Sequence, residues 1–185
     1  MHLHESKPII IAVVGTTHGC GVTHFCIELS IYLSKVCKKK VALIEINTNP
    51  SLGFLFDNNG KSSRNITYFK NGDKSTINYA MSEDFNYIIL DIGTNICNYE
   101  SEYTMSDMRI IILNLSKHWL SRTLSTYTTT PSLRSSATFL MYAFGSQYEA
   151  RVVEKIFKKR VMKIPYEKEL LRLEAPHISF YKSIF

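Results

Sequence analysis

Short runs of β-branched and aliphatic residues recur along the chain with helix-length segments between them: Ile9 to Val14, Val41 to Ile46, Tyr87 to Ile92, Arg109 to Leu115 and Thr138 to Tyr142, with a weaker sixth at Arg160 to Ile164. These runs are nearly continuous rather than alternating, as expected for strands buried on both faces of a parallel sheet. Phe25, Leu29, Tyr32, Leu33 and Val36 recur at spacings of three and four, which places them on one face of a helix from about Val22 to Cys37. Ser116 to Thr129, with Trp119, Leu120, Leu124 and Tyr127 and stopped by Pro131, gives a second helix, and Gln147 to Lys159 a third. The alternation predicts an α/β fold: a doubly wound, mainly parallel sheet of about six to seven strands with helices on both faces.

Two stretches fit this pattern less directly. Asn47 to Lys74 is rich in Asn, Gly, Ser and Lys and predicts loops, with a short strand at Ile66 to Phe69. The tail from Glu167 to Phe185 carries Leu170, Leu171, Leu173, Phe180, Tyr181, Ile184 and Phe185, apolar enough that packing on the sheet is the expectation. With 185 residues, 45% of them hydrophobic, residues 1–185 are expected to form a single domain around one core.

Charge adds little to the fold but bears on partners. The net charge is +6, yet the basic residues are not pooled: small clusters occur at Lys38, Lys39 and Lys40 and again at Lys155, Lys158, Lys159 and Arg160, with Glu149 and Glu154 beside the second. That distribution favours solvated helix ends over a nucleic-acid surface, and allows at most a peripheral membrane contact. The four cysteines, Cys20, Cys26, Cys37 and Cys97, form no CxxC pair, so no structural zinc site is expected. No charged-then-apolar leader opens the sequence and no apolar run approaches the roughly 20 residues of a membrane span. A cytoplasmic protein with reduced thiols is the expectation.

The candidate chemistry lies between the first run and the first helix, where the chain reads Gly15, Thr16, Thr17, His18, Gly19, Cys20, Gly21, Val22, Thr23, His24. A phosphate-binding loop needs backbone N–H groups at a helix N-terminus, glycines where the anion passes close, a lysine for the outer phosphates and a hydroxyl for magnesium. Set against GxxxxGK[ST], Gly21 and Thr23 fall in register, Thr16 stands at the first glycine and Val22 at the lysine. The loop alone equally fits a tight strand-to-helix turn that binds nothing. What strengthens it is Asp84 to Asp91, an apolar strand closed by a carboxylate that in phosphate-loop proteins holds magnesium through water.

With these residues together, the chain resembles, nearly end to end, the MinD/ParA family of deviant Walker ATPases, a P-loop class. The family loop KGGxGK[ST] lays over Thr17 to Thr23, where Gly19, Gly21 and Thr23 match; Thr17 and Val22 occupy the two lysine positions and His18 a glycine position. The acidic strand end IDxDPQ lays over Ile44 to Asn49, where Glu45 keeps a carboxylate and Asn47 does not. The strand ending in Asp91 resembles the Walker B segment, and Ser106 to Ile112 the acidic turn and strand that follow it. Phe139 to Gly145 resembles the strand that offers an asparagine to adenine, with Tyr142 and Ala143 in its place, and Ile164 and Pro165 resemble the closing Ile-Pro segment near the base.

The resemblance implies a P-loop NTPase-like fold that holds ATP or ADP with Mg2+ at Gly15 to His24, the magnesium at Thr23 and Asp91, and that forms a homodimer around nucleotide. It also implies weakened chemistry. Losing one electrostatic stabiliser of the transition state costs about a hundredfold to a thousandfold in rate, and here two lysines are absent, so little or no turnover is expected. His18 and His24 flank the loop, but a histidine with a pKa near about 6.5 is mostly neutral in a cytoplasm, and ordinary loop and helix-surface roles are expected of them. A retained fold with eroded catalysis resembles atypical members such as TadZ, which implies a positioning or assembly factor with protein partners in a bacterial pilus or secretion system. Two other functions compete: a small ligase or kinase resembling dethiobiotin synthetase, whose loop also begins Gly-Thr but depends on the lysine replaced by Val22, and a DNA-partition protein using the basic clusters.

Overall fold

The computed structural model describes residues 7–46, 65–129, 131–142, 145–165 and 172–185. Their seven strands form one sheet, all parallel, in the order β3-β2-β4-β1-β5-β6-β7. The strands are β1 (Ile9–Gly15), β2 (Val41–Glu45), β3 (Ile66–Phe69), β4 (Tyr87–Gly93), β5 (Met108–Leu113), β6 (Ala137–Met141) and β7 (Val161–Lys163). The expected runs thus each give a strand, including the short one at Ile66. Their central residues Ile11 to Val14, Ala42 to Ile44 and Ile110 to Leu113 are fully buried, as continuous apolar runs require of strands covered on both faces.

Seven α-helices cover the described sheet: α1 (Val22–Ile31), α2 (Lys74–Ser82), α3 (Glu100–Met105), α4 (Lys117–Thr129), α5 (Pro131–Arg134), α6 (Gln147–Phe157) and α7 (Ala175–Ile184). One face packs on α2 to α6 through Ile77, Tyr103, Tyr127, Leu133, Val153 and Phe157. The other packs on α1, the turn that follows it and α7 through Phe25, Leu29, Leu33 and Tyr181. The tail is therefore packed in its described part, with Leu173, Ile178, Phe180 and Ile184 against the second layer; Leu170 and Leu171 lie outside the described residues.

Three local details differ from the periodicity. The first helix does not run as α-helix to Cys37: Tyr32–Val36 widen into a π-helical turn. Helix α4 ends at Thr129 as expected, and Pro131 then opens the separate short helix α5, which the pattern did not indicate, at the position where its missing N–H costs nothing. The short helices α2 and α3 interrupt what read as connecting chain. Helix α2 owes its start to a reciprocal cap in which Asp73 accepts from the Thr76 N–H while the Thr76 hydroxyl accepts from the Asp73 N–H.

The chain leaves β1 toward β2 on one side and reaches β5 on the other, so the connections diverge at the carboxyl end of β1. In open parallel sheets that divergence leaves a crevice suited to a ligand. Among the described residues, no helix is long and apolar enough to cross a membrane.

Candidate functional site

The loop Gly15 to Thr23 sits in that crevice. It departs from the sheet with the Thr16 N–H donating to the Ile112 carbonyl at 3.1 Å, and turns back where the Cys20 N–H donates to the Thr17 carbonyl at 3.3 Å. The turn is tight: a Cβ on Gly15 would collide with Cys20 Sγ and come within 2.6 Å of Val22 Cγ2. Gly21, with φ at 103°, is left-handed and caps α1 without any side-chain hydrogen bond to the first turn. The helix thus begins with N–H groups that no capping side chain serves, the feature an anion uses.

Thr23 and Asp91 meet here. The Thr23 hydroxyl donates to Asp91 Oδ2 at 2.7 Å, and the other carboxylate oxygen accepts the Gly93 N–H at 3.0 Å. Asp91 is fully buried and stands in register with Val13 on one side and Glu45 on the other. A hydroxyl next to a carboxylate beside a glycine turn is a pair that could hold Mg2+, which takes few protein ligands and completes its shell with water and phosphate oxygens. Among the described residues no group of three His, Cys, Asp or Glu side chains could hold a metal by itself.

Glu45 is also fully buried and accepts the Tyr68 hydroxyl. Burial, then that hydrogen bond and the Glu45 charge, push the Tyr68 phenol well up, so it stays a donor. Cys26 lies close enough to both carboxylates that, after burial, their charges hold its thiol protonated. Asn47 lies outside the described residues. Pro165 follows β7 half-buried, and Ala143 is outside the described residues.

The two lysine positions are turned into the protein. Val22 is 6% exposed and packs in the core layer of α1; Thr17 is 7% exposed, and its hydroxyl oxygen accepts from Asn114 Nδ2 at 3.1 Å. The Asn114 N–H donates to the Thr16 hydroxyl at 2.9 Å, so the residue after β5 pins both threonines. His18 is exposed and approaches the Thr94 hydroxyl at 3.2 Å from the loop after β4. His24 has its Nε2 3.2 Å from Glu28 Oε1 and its ring edge-on to Tyr142. Cys20 Sγ points to the Ile112 carbonyl at 3.6 Å, and burial raises its thiol.

Sequence patterns missed a buried polar group behind the loop. Glu28 has no exposure, and its Oε2 accepts the hydroxyls of Tyr142 and Tyr181, each at 3.1 Å. The Tyr142 ring is the wall against which a Cβ on Gly21 would press, at 2.6 Å. One signal was in the chain: Glu28 occupies an inward position between Phe25 and Leu29, where a carboxylate needs partners. The acidic turn at Asp107, by contrast, serves the opposite end of the sheet, where its carboxylate accepts the Ile10 N–H at 2.8 Å.

No family model matches the chain, and no curated protein matches its sequence. Solved structures do. A ParA family ATPase from Chlorobium tepidum TLS superposes with a TM-score of 0.70 at 16% identity, covering 96% of this chain and 93% of the other. A putative plasmid partition protein from Borrelia burgdorferi B31 bound to AMPPNP gives 0.67 at 17% identity, covering 97% of each. MinD in the MinC:MinD complex of Aquifex aeolicus gives 0.61 at 16% identity, over 86% of this chain and 82% of that one. The architecture is that of the ParA and MinD P-loop proteins, as the motifs implied.

Proposed function

We propose that this chain is a catalytically degenerate MinD/ParA-like protein that holds Mg-ATP or Mg-ADP weakly, turns it over little or not at all, and serves to position or assemble a bacterial protein complex of the pilus or secretion kind. One observation carries the reading: the Thr23 to Asp91 pair and the glycine turn are intact, while both lysine positions hold neutral residues built into the interior. Backbone N–H groups, the helix dipole and a magnesium held by Thr23 and Asp91 would grip a phosphate chain. Nothing at Thr17 or Val22 can neutralise the charge that builds on the outer phosphates during transfer. The AMPPNP in the Borrelia protein and the MinC partner of the Aquifex protein support a nucleotide and a protein partner for this fold.

Calorimetric titration with Mg-ATP and Mg-ADP, beside a phosphate-release assay, tests this. Measurable binding that Thr23→Ala and Asp91→Asn each weaken, with no release above background, is the expected result. Val22→Lys alone should not restore turnover, because the side chain at this position is packed inward and Thr17 still supplies no second cation. Rapid release by the unaltered protein would overturn the reading, and nucleotide binding indifferent to Thr23→Ala would remove it from this loop.

A further inference from the structure

A second recess lies away from the glycine loop, at the edge of the sheet. It is a cavity of about 460 Å³ between α6 and β7, with Met141 and Val161 as apolar walls and Arg151, Arg160 and Lys163 around it. Met141 and Val161 belong to the layer of α6, whereas Tyr142 and Val22 belong to that of α1, so the two sites are on opposite faces. Three cations, from α6, from β7 and from the turn between them, surround the recess, and among the described residues none of them is in an ion pair. Among the described residues the only carboxylate lining it is that of Glu154, and its Oε1 already accepts the Val161 N–H at 2.8 Å. Lys155 and Lys158, both exposed, extend the positive field beyond the rim.

The adjoining backbone suits a peptide. β7 is the last strand of the sheet, and because Ile164 N–H donates inward to Met141, alternation turns the N–H and C=O of Lys163 outward. An extended chain laid along such an edge gains main-chain hydrogen bonds, while alternate side chains enter the adjoining recess. Carboxylates there would meet two guanidinium forks and an ammonium, and the aliphatic stems of glutamates would rest on Met141 and Val161. We infer that the α6 and β7 recess is a docking site for an extended acidic segment of a partner protein. The inference rests on the proposed function only in taking the partner to be a protein; it requires no nucleotide.

The test uses a short fluorescein-labelled peptide of alternating glutamate and valine, with a glutamine-for-glutamate copy as control, followed by anisotropy on the full chain. The glutamate peptide should bind and the glutamine copy should not. Arg151→Gln with Arg160→Gln should weaken binding by about tenfold or more, the scale of losing one or two charge-assisted hydrogen bonds. Lys38→Gln with Lys39→Gln, in the other basic cluster, should change it little. Glu154→Gln keeps an oxygen for the Val161 N–H and removes the only carboxylate, so it should tighten binding, a gain that misfolding cannot mimic. Equal losses in both cluster variants, competition by inorganic phosphate at the peptide's own concentration, or tighter binding of a single-stranded oligonucleotide at the same residues would each overturn the inference. Mg-ATP titration of the same variants separates the two sites: its affinity should not move, and a failed nucleotide titration leaves the peptide result standing.

Discussion

Gly21 offers a test of why the loop needs its glycines. Substituting Gly21→Ala meets two separate penalties. At φ 103° an L-residue is in the left-handed half of the map, which costs about 1–2 kcal/mol. The new Cβ would also lie 2.6 Å and 2.7 Å from Tyr142 ring atoms, and forcing a methyl into packed surroundings costs about 1–3 kcal/mol. The sum is about 2–5 kcal/mol. Gly19 supplies the control, since its φ is 72° but a Cβ there would meet nothing within 4 Å; Gly19→Ala should lose only the first penalty. Tyr142→Ala removes the wall, so in that background Gly21→Ala should cost about 1–3 kcal/mol less than in the natural sequence. Urea denaturation of the single and double variants, all in the same concentration of sucrose to keep the weakest folded, measures the differences. Equal costs of Gly21→Ala with and without the Tyr142 ring would refute the steric half, and a Gly21→Ala as mild as Gly19→Ala would do the same.

Two further predictions concern titration and thiol access. Hydrogen bonds from Ser75, then from the Thr76 N–H and hydroxyl, lower the Asp73 carboxyl from 3.8 to about 2. A carboxylate whose folded pKa is depressed contributes stability that is present above about 4 and disappears as the pH falls toward about 2; Asp73→Asn, which still caps, should flatten the stability profile in that window, and an unchanged slope by acid titration of the melting temperature would contradict it. Iodoacetamide at a pH of about 8, followed by peptide mass spectrometry, should label exposed Cys97 first and half-buried Cys37 next, leaving Cys20 and Cys26 until the chain is unfolded, because burial raises both thiols and the Asp91 and Glu45 charges raise Cys26 further. Labelling of Cys26 in the native protein as fast as Cys97 would mean that the interior between α1 and the carboxylates is open.

Thr17 and Val22 are both built into the interior. Val22 packs where a lysine would need freedom to reach outward, and Thr17 is tied down by Asn114. The cradle is held by its own side chains. This gives a structural reason why Val22→Lys alone should not restore turnover.

The strands and the glycine turn were legible in the amino-acid order because their physics is local: continuous apolar runs suit two-sided burial, and a strand running into glycines and then a helical stripe allows few other shapes. Thr23 and Asp91 could be paired on paper only through a motif, and their meeting depends on β1 and β4 lying side by side. Helices α2 and α3 were not legible, being short and weakly patterned, and α2 depends on a cap whose partner is threonine rather than the usual glutamate or glutamine. Glu28, Asn114 and the recess at β7 were hidden for a different reason. Their partners stand far away in sequence, with 153 positions between Glu28 and Tyr181 and 97 between Thr17 and Asn114. The sequence by itself thus determined the layers, the parallel sheet and the place of the loop, since periodicity and turn chemistry act within a few residues. Only the tertiary structure decided which way Thr17 and Val22 turn, what walls in Gly21 and which cations share a cavity, because those follow from strand order and from which faces the helices cover.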